Sequence, residues 1–134
     1  MFTFDKRLDR RTCLVYLGLS ALAGCFSAVY ESLSHGVISM YMVFLFAWPL
    51  LGGALPFAML SAARKKPTIG WLARCLYHSG VATLTVGSCV LGVLEIYGTT
   101  SDYVTVYWIV GAALIACGVG LALWGSRRKE RIRA

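Results

Sequence analysis

Charged side chains are scarce in this chain of 134 residues. Only 14% of the residues are Asp, Glu, Lys or Arg, whereas 58% are hydrophobic, and a soluble domain carries about 25% charged residues. The apolar residues are gathered into four long blocks instead of being dispersed. This composition excludes an ordinary soluble domain, and the length predicts one membrane domain without room for a separate soluble module.

Paired cysteines and catalytic motifs are also missing. The five cysteines form no C-x-x-C pair and lie in apolar blocks, where a thiol behaves as a small hydrophobe, so no disulfide framework is expected. The sequence contains no serine-nucleophile motif, phosphate loop or metalloprotease helix. We therefore expect neither an enzyme nor a bound cofactor. An enzyme that uses the membrane thiols Cys25 and Cys89, or a quinone, is a third-ranked alternative.

Each apolar block is long enough to cross a membrane as a helix, which takes about 20 residues. Helices are expected because an open strand edge in lipid leaves backbone groups unpaired. Short connections place consecutive helices side by side and antiparallel. The sequence thus predicts an all-α integral membrane protein, a four-helix bundle of two hairpins. The predicted transmembrane segments are 12–30, 37–60, 71–97 and 103–124, with the loop 61–70 between the hairpins.

The basic residues predict the orientation of this bundle. All 13 Lys and Arg residues lie in the two terminal flanks, in the loop 61–70 or at Arg74. The other two connections carry none. The positive-inside rule makes the basic side cytoplasmic, so both termini are expected in the cytoplasm and the protein in a plasma or inner membrane. The basic residues form no helix face suited to nucleic acid, which leaves the lipid bilayer as the expected partner.

The segment 22–25, Leu-Ala-Gly-Cys, resembles the lipobox of a bacterial lipoprotein signal. Cleavage before Cys25 would leave a lipidated protein with three transmembrane segments and the same loop charges. The apolar run continues past Cys25 to Tyr30, which favours an uncleaved first segment.

The two halves of the chain are distantly alike when one is shifted by 64 positions against the other. Each half then has two small residues four apart, followed by a glutamate on the same helix face. This pattern suggests a parallel internal repeat of two hairpins; chance likeness between apolar helices is the alternative. The matched pairs are Cys25 with Cys89, Val29 with Val93, Glu31 with Glu95, Gly24 with Ser88, and Ala28 with Gly92.

Small residues form stripes on three of the predicted helices. Membrane helices pack through such residues because lipid offers no hydrophobic drive for helix association. The stripes are expected to pack the bundle internally, and packing between chains in a homo-oligomer is the alternative. Beside one stripe, Gly111, Gly118 and Gly125 recur every seven residues. The predicted packing residues are Gly24, Ala28, Ser88, Gly92, Ala112, Ala116 and Gly120.

The second predicted segment contains helix-breaking residues in its middle. Proline removes a backbone donor and crowds the preceding turn, and the carbonyls freed in this way need partners inside the membrane. One interpretation is a broken helix that lines a solute pathway, and the other is a kink that serves packing alone. The candidate pathway residues are Trp48, Pro49, Gly52, Gly53 and Pro56.

Glu31, His35, Glu95 and Asp102 all fall near the predicted outer surface. If the hairpins pack as the repeat suggests, Glu31 and Glu95 face each other. Paired carboxylates can hold a cation, share a proton or, with His35, bind a metal. A solvated rim without a site is the alternative, since ionisable residues are most informative deep in the membrane.

These observations favour a small non-enzymatic carrier or channel-type protein for a small cationic solute. An accessory subunit of a larger membrane complex, a transporter or an electron-transfer assembly, is the alternative. The four-segment size resembles that of the small multidrug-resistance transporters. The likeness stops at size, because the carboxylate of that family lies within its first helix whereas Glu31 ends the first helix here.

Overall fold

The structure, a computed structural model, describes residues 2–34, 36–62 and 69–133. Every regular element within these ranges is helical, and they contain no strand. Three of these helices are long and apolar enough to cross a membrane, as a helical membrane protein requires. The elements are α1 (Phe2–Leu33), α2 (Met40–Val43), α3 (Ala47–Pro49), a π-helical turn (Leu50–Ala54), α4 (Leu55–Ala62), α5 (Trp71–Ile96) and α6 (Val104–Arg133).

The second apolar block is interrupted twice, and residues 40–62 are called the broken segment below. A turn at 44–46 separates α2 from α3, and the π-helical turn then joins α3 to α4. Pro49 lacks a backbone N–H, and Gly52 and Gly53 are weak helix formers. These residues explain why the block departs from regular α-helix at this point. The longest apolar helix in it, Ala47–Ala62, is shorter than the three candidate transmembrane helices.

Side chains of α1 and α5 donate hydrogen bonds to five carbonyl groups of the broken segment, of which those of Met42 and Phe46 also accept backbone N–H groups of the same segment. No water is available in a hydrocarbon core, so each buried unpaired carbonyl would cost about 1–3 kcal/mol. The donors are hydroxyls and one thiol. Their hydrogen bonds hold the broken segment between the two long helices. The bonds are Ser27 to Met42 (2.7 Å), Ser20 to Phe46 (3.0 Å), Cys13 to Ala54 (3.4 Å), Ser88 to Tyr41 (2.9 Å) and Tyr77 to Gly52 (2.6 Å).

Helices α1 and α5 run in the same direction, because Asp9 of α1 pairs with Arg74 of α5 and, further along both helices, Tyr16 pairs with His78. Arg74, near the start of α5, lies 2.7 Å from the Asp9 carboxylate near the start of α1. Asp9 is 1% exposed. We call this end of the molecule the basic end, and the opposite end, where Glu31 and Glu95 close α1 and α5, the carboxylate end. Toward the carboxylate end, Ser27 of α1 and Gly92 of α5 both contact Met42, which lies between the two helices.

The core lies between α1, the broken segment and α5. Its buried members are Tyr16, Ala54, Phe57 and Val81. The Tyr16 ring lies directly over Gly53, where an added Cβ would come within 2.1 Å of a ring carbon. The broken segment therefore approaches α1 closely at a position that only glycine can occupy.

Helices α5 and α6 pack through glycines spaced seven residues apart. A Cβ on Gly80 would lie 2.8 Å from the Gly111 carbonyl oxygen, and a Cβ on Gly118 would lie 2.8 Å from the Tyr77 backbone nitrogen. Such contacts bring the two backbones close together, as in other membrane helix pairs. The predicted stripe on α6 lies elsewhere: Ala112, Ala116 and Gly120 are exposed.

The other predicted packing residues divide between α1 and α5. Ser88 and Gly92 of α5 are buried, and a Cβ on Gly92 would lie 3.0 Å from the backbone nitrogen of Met42. On α1, Gly24 is half-buried with Phe46 nearby, and Ala28 is exposed. The faces that the internal repeat matches are therefore packed differently, and the repeat stays a prediction.

Candidate functional site

The carboxylate end places one glutamate on each of two parallel helices. Glu31 lies in the last turn of α1 and Glu95 in the last turn of α5. Met42 of α2 lies between the helices about one turn below, where it accepts a hydrogen bond from Ser27 and contacts Gly92. The Met42 side chain is fully buried. The broken segment thus fills the space under both carboxylates.

Ser39 holds the carboxylate of Glu95. The Ser39 hydroxyl donates a hydrogen bond of 2.5 Å to Oε2 of Glu95. The Ser39 hydroxyl oxygen also accepts a weaker bond of 3.4 Å from the backbone N–H of Met42 and so caps the first turn of α2. Ser39 is buried and Glu95 is exposed. The carboxylate is therefore fixed in position and still accessible to a ligand.

Glu31 differs from Glu95 because one of its carboxylate oxygens is withdrawn from solvent. Its Oε1 has no hydrogen-bond partner among the residues that the structure describes. Its backbone is fixed, since the Ser34 hydroxyl donates a 2.7 Å bond to the Glu31 carbonyl. Burying a polar oxygen without a donor is unfavourable. A bound cation or a shared proton would remove that cost.

Of the two remaining predicted members of the site, the structure describes only Asp102. His35 lies outside the described residues. Asp102 is exposed on the turn before α6, where its carbonyl accepts a hydrogen bond from Thr105. Within the described ranges, no cluster of three or more His, Cys, Asp and Glu side chains is arranged to hold a metal ion.

The candidate pathway residues lie in different environments. Gly52 accepts the Tyr77 hydrogen bond, Gly53 faces Tyr16, and Pro49 is buried. The Trp48 ring lies 5.2 Å from that of Trp108, centroid to centroid. Pro56 lines a cavity of about 250 Å³ toward the basic end.

A larger cavity of about 620 Å³ lies between the broken segment, α5 and α6. Of the candidate pathway residues, Trp48 and Gly52 line it, together with Trp108 of α6. The rest of its wall is predominantly apolar. It extends from Met40, beside Ser39, to Ile115 deeper in the bundle.

Two polar contacts near the basic end were missed by the sequence reasoning. One is the buried Asp9–Arg74 ion pair, and the other is a 2.7 Å hydrogen bond between the Tyr16 hydroxyl and Nδ1 of His78. A signal existed in the sequence, because polar residues recur at intervals of three, four or seven along one face of α1. These are Asp9, Cys13, Tyr16, Ser20 and Ser27.

Comparisons with known proteins identify no relative of this chain. No family model, curated protein or solved structure matches the chain. The chemistry of the carboxylate end and of the cavity beneath it is therefore the basis for a functional proposal.

Proposed function

We propose that the protein is a small multi-pass membrane protein that carries or conducts a small cationic solute and catalyses no reaction. The observation that carries the proposal is the buried Oε1 of Glu31, which lacks a donor within the described residues. Burial of an unpaired carboxylate oxygen favours whatever binds it with positive charge. Glu95, accessible and fixed by Ser39, supplies a second carboxylate at the same end.

The proposal includes four membrane crossings, with both termini in the cytoplasm of a cell bounded by a plasma or inner membrane. The broken segment supports the fourth crossing, because it begins beside Glu95 and continues as far as Ala62. The Asp9–Arg74 ion pair supports an arrangement in which α1 and α5 begin on the same side of the membrane. With Arg10 and Arg11 at that end, the positive-inside rule makes it cytoplasmic and the carboxylate end external.

A flux measurement in liposomes tests the role of the carboxylates. Purified protein is reconstituted, and uptake of ammonium, methylammonium, tetramethylammonium and Rb⁺ is compared with uptake by protein-free liposomes. Glu31→Gln and Glu95→Gln should each lower the protein-dependent flux about tenfold or more, since a charge-assisted contact contributes about 1.5–3 kcal/mol. Asp102→Asn is the matched control and should leave flux unchanged, because Asp102 is exposed and lies on the turn before α6, on neither of the helices that carry the two glutamates.

Two results contradict this function. One is flux that persists in both glutamine variants, with size-exclusion profiles like that of the parent protein. The other is the absence of protein-dependent flux for all four cations. Either result removes the carboxylate site as a solute site.

A second candidate function is that of an accessory subunit in a larger membrane complex or a homo-oligomer. The observation that favours it is the exposed small-residue stripe on α6, where a Cβ on Gly120 would meet nothing within 4 Å. Such stripes also pack helices between chains. Replacing Ala116 by Leu should then dissociate the assembly on native gels while the isolated chain stays folded. A chain that is monomeric in mild detergent and native membranes contradicts this function.

A further inference from the structure

Aromatic side chains form part of the wall of the 620 Å³ cavity, which is open at the protein surface, since Met40, Phe44 and Leu51 of its lining are exposed. Tyr41, Phe44, Trp48 and Trp108 all line it. The Trp108 ring centroid lies 5.2 Å from that of Trp48 and 6.4 Å from that of Tyr41. The volume lies within the range of small-molecule pockets, roughly 300–1,000 Å³. Clustered aromatic rings attract cations through their electron-rich faces.

The cavity is poorly suited to a metal ion or another strongly hydrated cation. Hard cations require several oxygen ligands in place of their water shell. The Ser88 hydroxyl in the wall already donates to the Tyr41 carbonyl, and the Gly52 carbonyl already accepts from Tyr77. A cation whose charge is covered by alkyl or aryl groups needs no such ligands, because it loses little hydration on entering an apolar site.

A negative charge lies above the cavity at the carboxylate end. Met40 lines the cavity and directly follows Ser39, whose hydroxyl is bonded to Glu95. On α5, Glu95 lies seven residues beyond Ser88 of the cavity wall, about 10 Å at the helical rise of 1.5 Å per residue. No Asp, Glu, Lys or Arg is among the lining residues. The charge pattern at this side of the cavity therefore favours a cationic occupant.

We propose that the cavity binds an apolar organic cation, such as a quaternary ammonium or phosphonium ion. The aromatic wall surrounds the apolar body of the cation, and Glu95 supplies the countercharge. The inference rests on the proposed function and names the substrate class of that site.

Tetraphenylphosphonium and tetraphenylborate provide the test, because they share a shape and differ in the sign of their charge. Binding is measured to the full chain in nanodiscs free of choline lipids, and binding to empty nanodiscs is subtracted. We expect the phosphonium ion to bind at least about tenfold more tightly than the borate. Trp108→Leu should weaken phosphonium binding by about tenfold, the range of a desolvated cation–π contact. Glu95→Gln should weaken it by about threefold or more, because an exposed carboxylate about 10 Å from the cavity wall acts through a screened charge interaction. Trp124→Leu is the matched control, since Trp124 is 71% exposed, and should leave affinity unchanged.

A fluorescence measurement keeps the test valid if Trp108→Leu does not fold. The chain has four tryptophans, and replacing Trp71 and Trp124 by Phe leaves the two in the cavity as reporters. Tetraphenylphosphonium should change their emission at saturation, and tetraphenylborate at the same concentration should not.

Three results overturn the cavity proposal. Equal binding of the two ions would indicate an apolar occupant such as a lipid chain. A cavity inaccessible to either ion because the chains dimerise through Trp108 would indicate a second copy as the occupant. Loss of ammonium flux in Glu31→Gln without any phosphonium binding would leave the proposed function standing and remove the cavity as its site.

Discussion

The Tyr77 hydroxyl donates a hydrogen bond of 2.6 Å to the carbonyl oxygen of Gly52. That carbonyl lies in the π-helical turn, where regular α-helical pairing is interrupted. A side chain of one helix thus completes the backbone hydrogen bonding of another. Because similar bonds reach Phe46 and Met42 from α1, the broken segment depends on its neighbours for its conformation.

Removing the donor at Tyr77 should destabilise the fold. In Tyr77→Phe the Gly52 carbonyl loses its partner inside the bundle, which should cost about 1–3 kcal/mol. The measurement is the free energy of unfolding in mixed micelles, titrated with a denaturing detergent. Tyr103→Phe is the control: Tyr103 is 84% exposed, so its hydroxyl should contribute almost nothing. Equal stabilities for the two variants would show that water or another group replaces the Tyr77 bond.

A methyl group at Gly53 should disrupt the contact between the broken segment and α1. The added Cβ would lie 2.1 Å from a Tyr16 ring carbon, so Gly53→Ala should cost at least about 2 kcal/mol through overpacking. Gly18→Ala should have little effect, since nothing lies within 4 Å of a Cβ there. In a double-mutant cycle, Tyr16→Leu should recover part of the loss. If the two effects simply add, Tyr16 is not the obstacle.

The Asp9–Arg74 pair should stabilise the association of α1 with α5. Asp9 is almost completely buried and the Arg74 side chain is 15% exposed. Arg74→Gln should therefore lower the free energy of unfolding by up to about 3 kcal/mol, because the buried Asp9 carboxylate loses its ion pair with Arg74. Combined with Asp9→Asn, the cycle should give a coupling energy of about 1–3 kcal/mol. Arg10→Gln, next to Asp9 but exposed, is the control. A coupling energy near zero would contradict an energetic role for the pair.

Ser39 should matter to both α2 and the solute site. Ser39→Ala removes the cap of α2, worth about 1 kcal/mol, and the hydrogen bond that fixes Glu95. We expect reduced stability together with reduced flux of ammonium in liposomes. Ser39→Thr keeps the hydroxyl and should restore most of both. Full flux in Ser39→Ala would show that Glu95 does not need this partner.

The sequence predicted the helical membrane character and the position of the irregular helix, because both follow from local properties. Long apolar blocks require helices in lipid. Proline and glycine, here Pro49, Gly52 and Gly53, destabilise a regular α-helix in any tertiary context. The groups that complete the broken backbone were not predictable in the same way. Whether Tyr77 reaches Gly52 depends on which faces of two helices meet, and one sequence does not determine that.

The packing of α6 shows the same limit. A stripe containing Ala112 and Ala116 and a row of glycines seven apart are both plausible packing faces in the sequence. The structure uses Gly111 and Gly118 against α5 and leaves the alanines exposed. Glycine allows the closer backbone approach, which is the physical reason for this choice.

The use of the two glutamates as a solute site stays a prediction. The two glutamates were expected near one surface, and the structure places them at the same end of parallel helices. The hydrogen bond from Ser39 to Glu95 was not foreseen, because Ser39 lies in a different apolar block. The buried Asp9 was also overlooked, since it lies among arginines that suggested an exposed flank.

Four membrane crossings with an external carboxylate end are tested most directly by cysteine accessibility in intact cells. In a cysteine-free background, Thr99→Cys marks the exposed turn between α5 and α6, and Lys65→Cys marks the central basic connection. A membrane-impermeant maleimide should label position 99 from outside and position 65 only after permeabilisation. Labelling of position 65 from outside, with position 99 protected, would contradict the proposed orientation and put both glutamates on the cytoplasmic side.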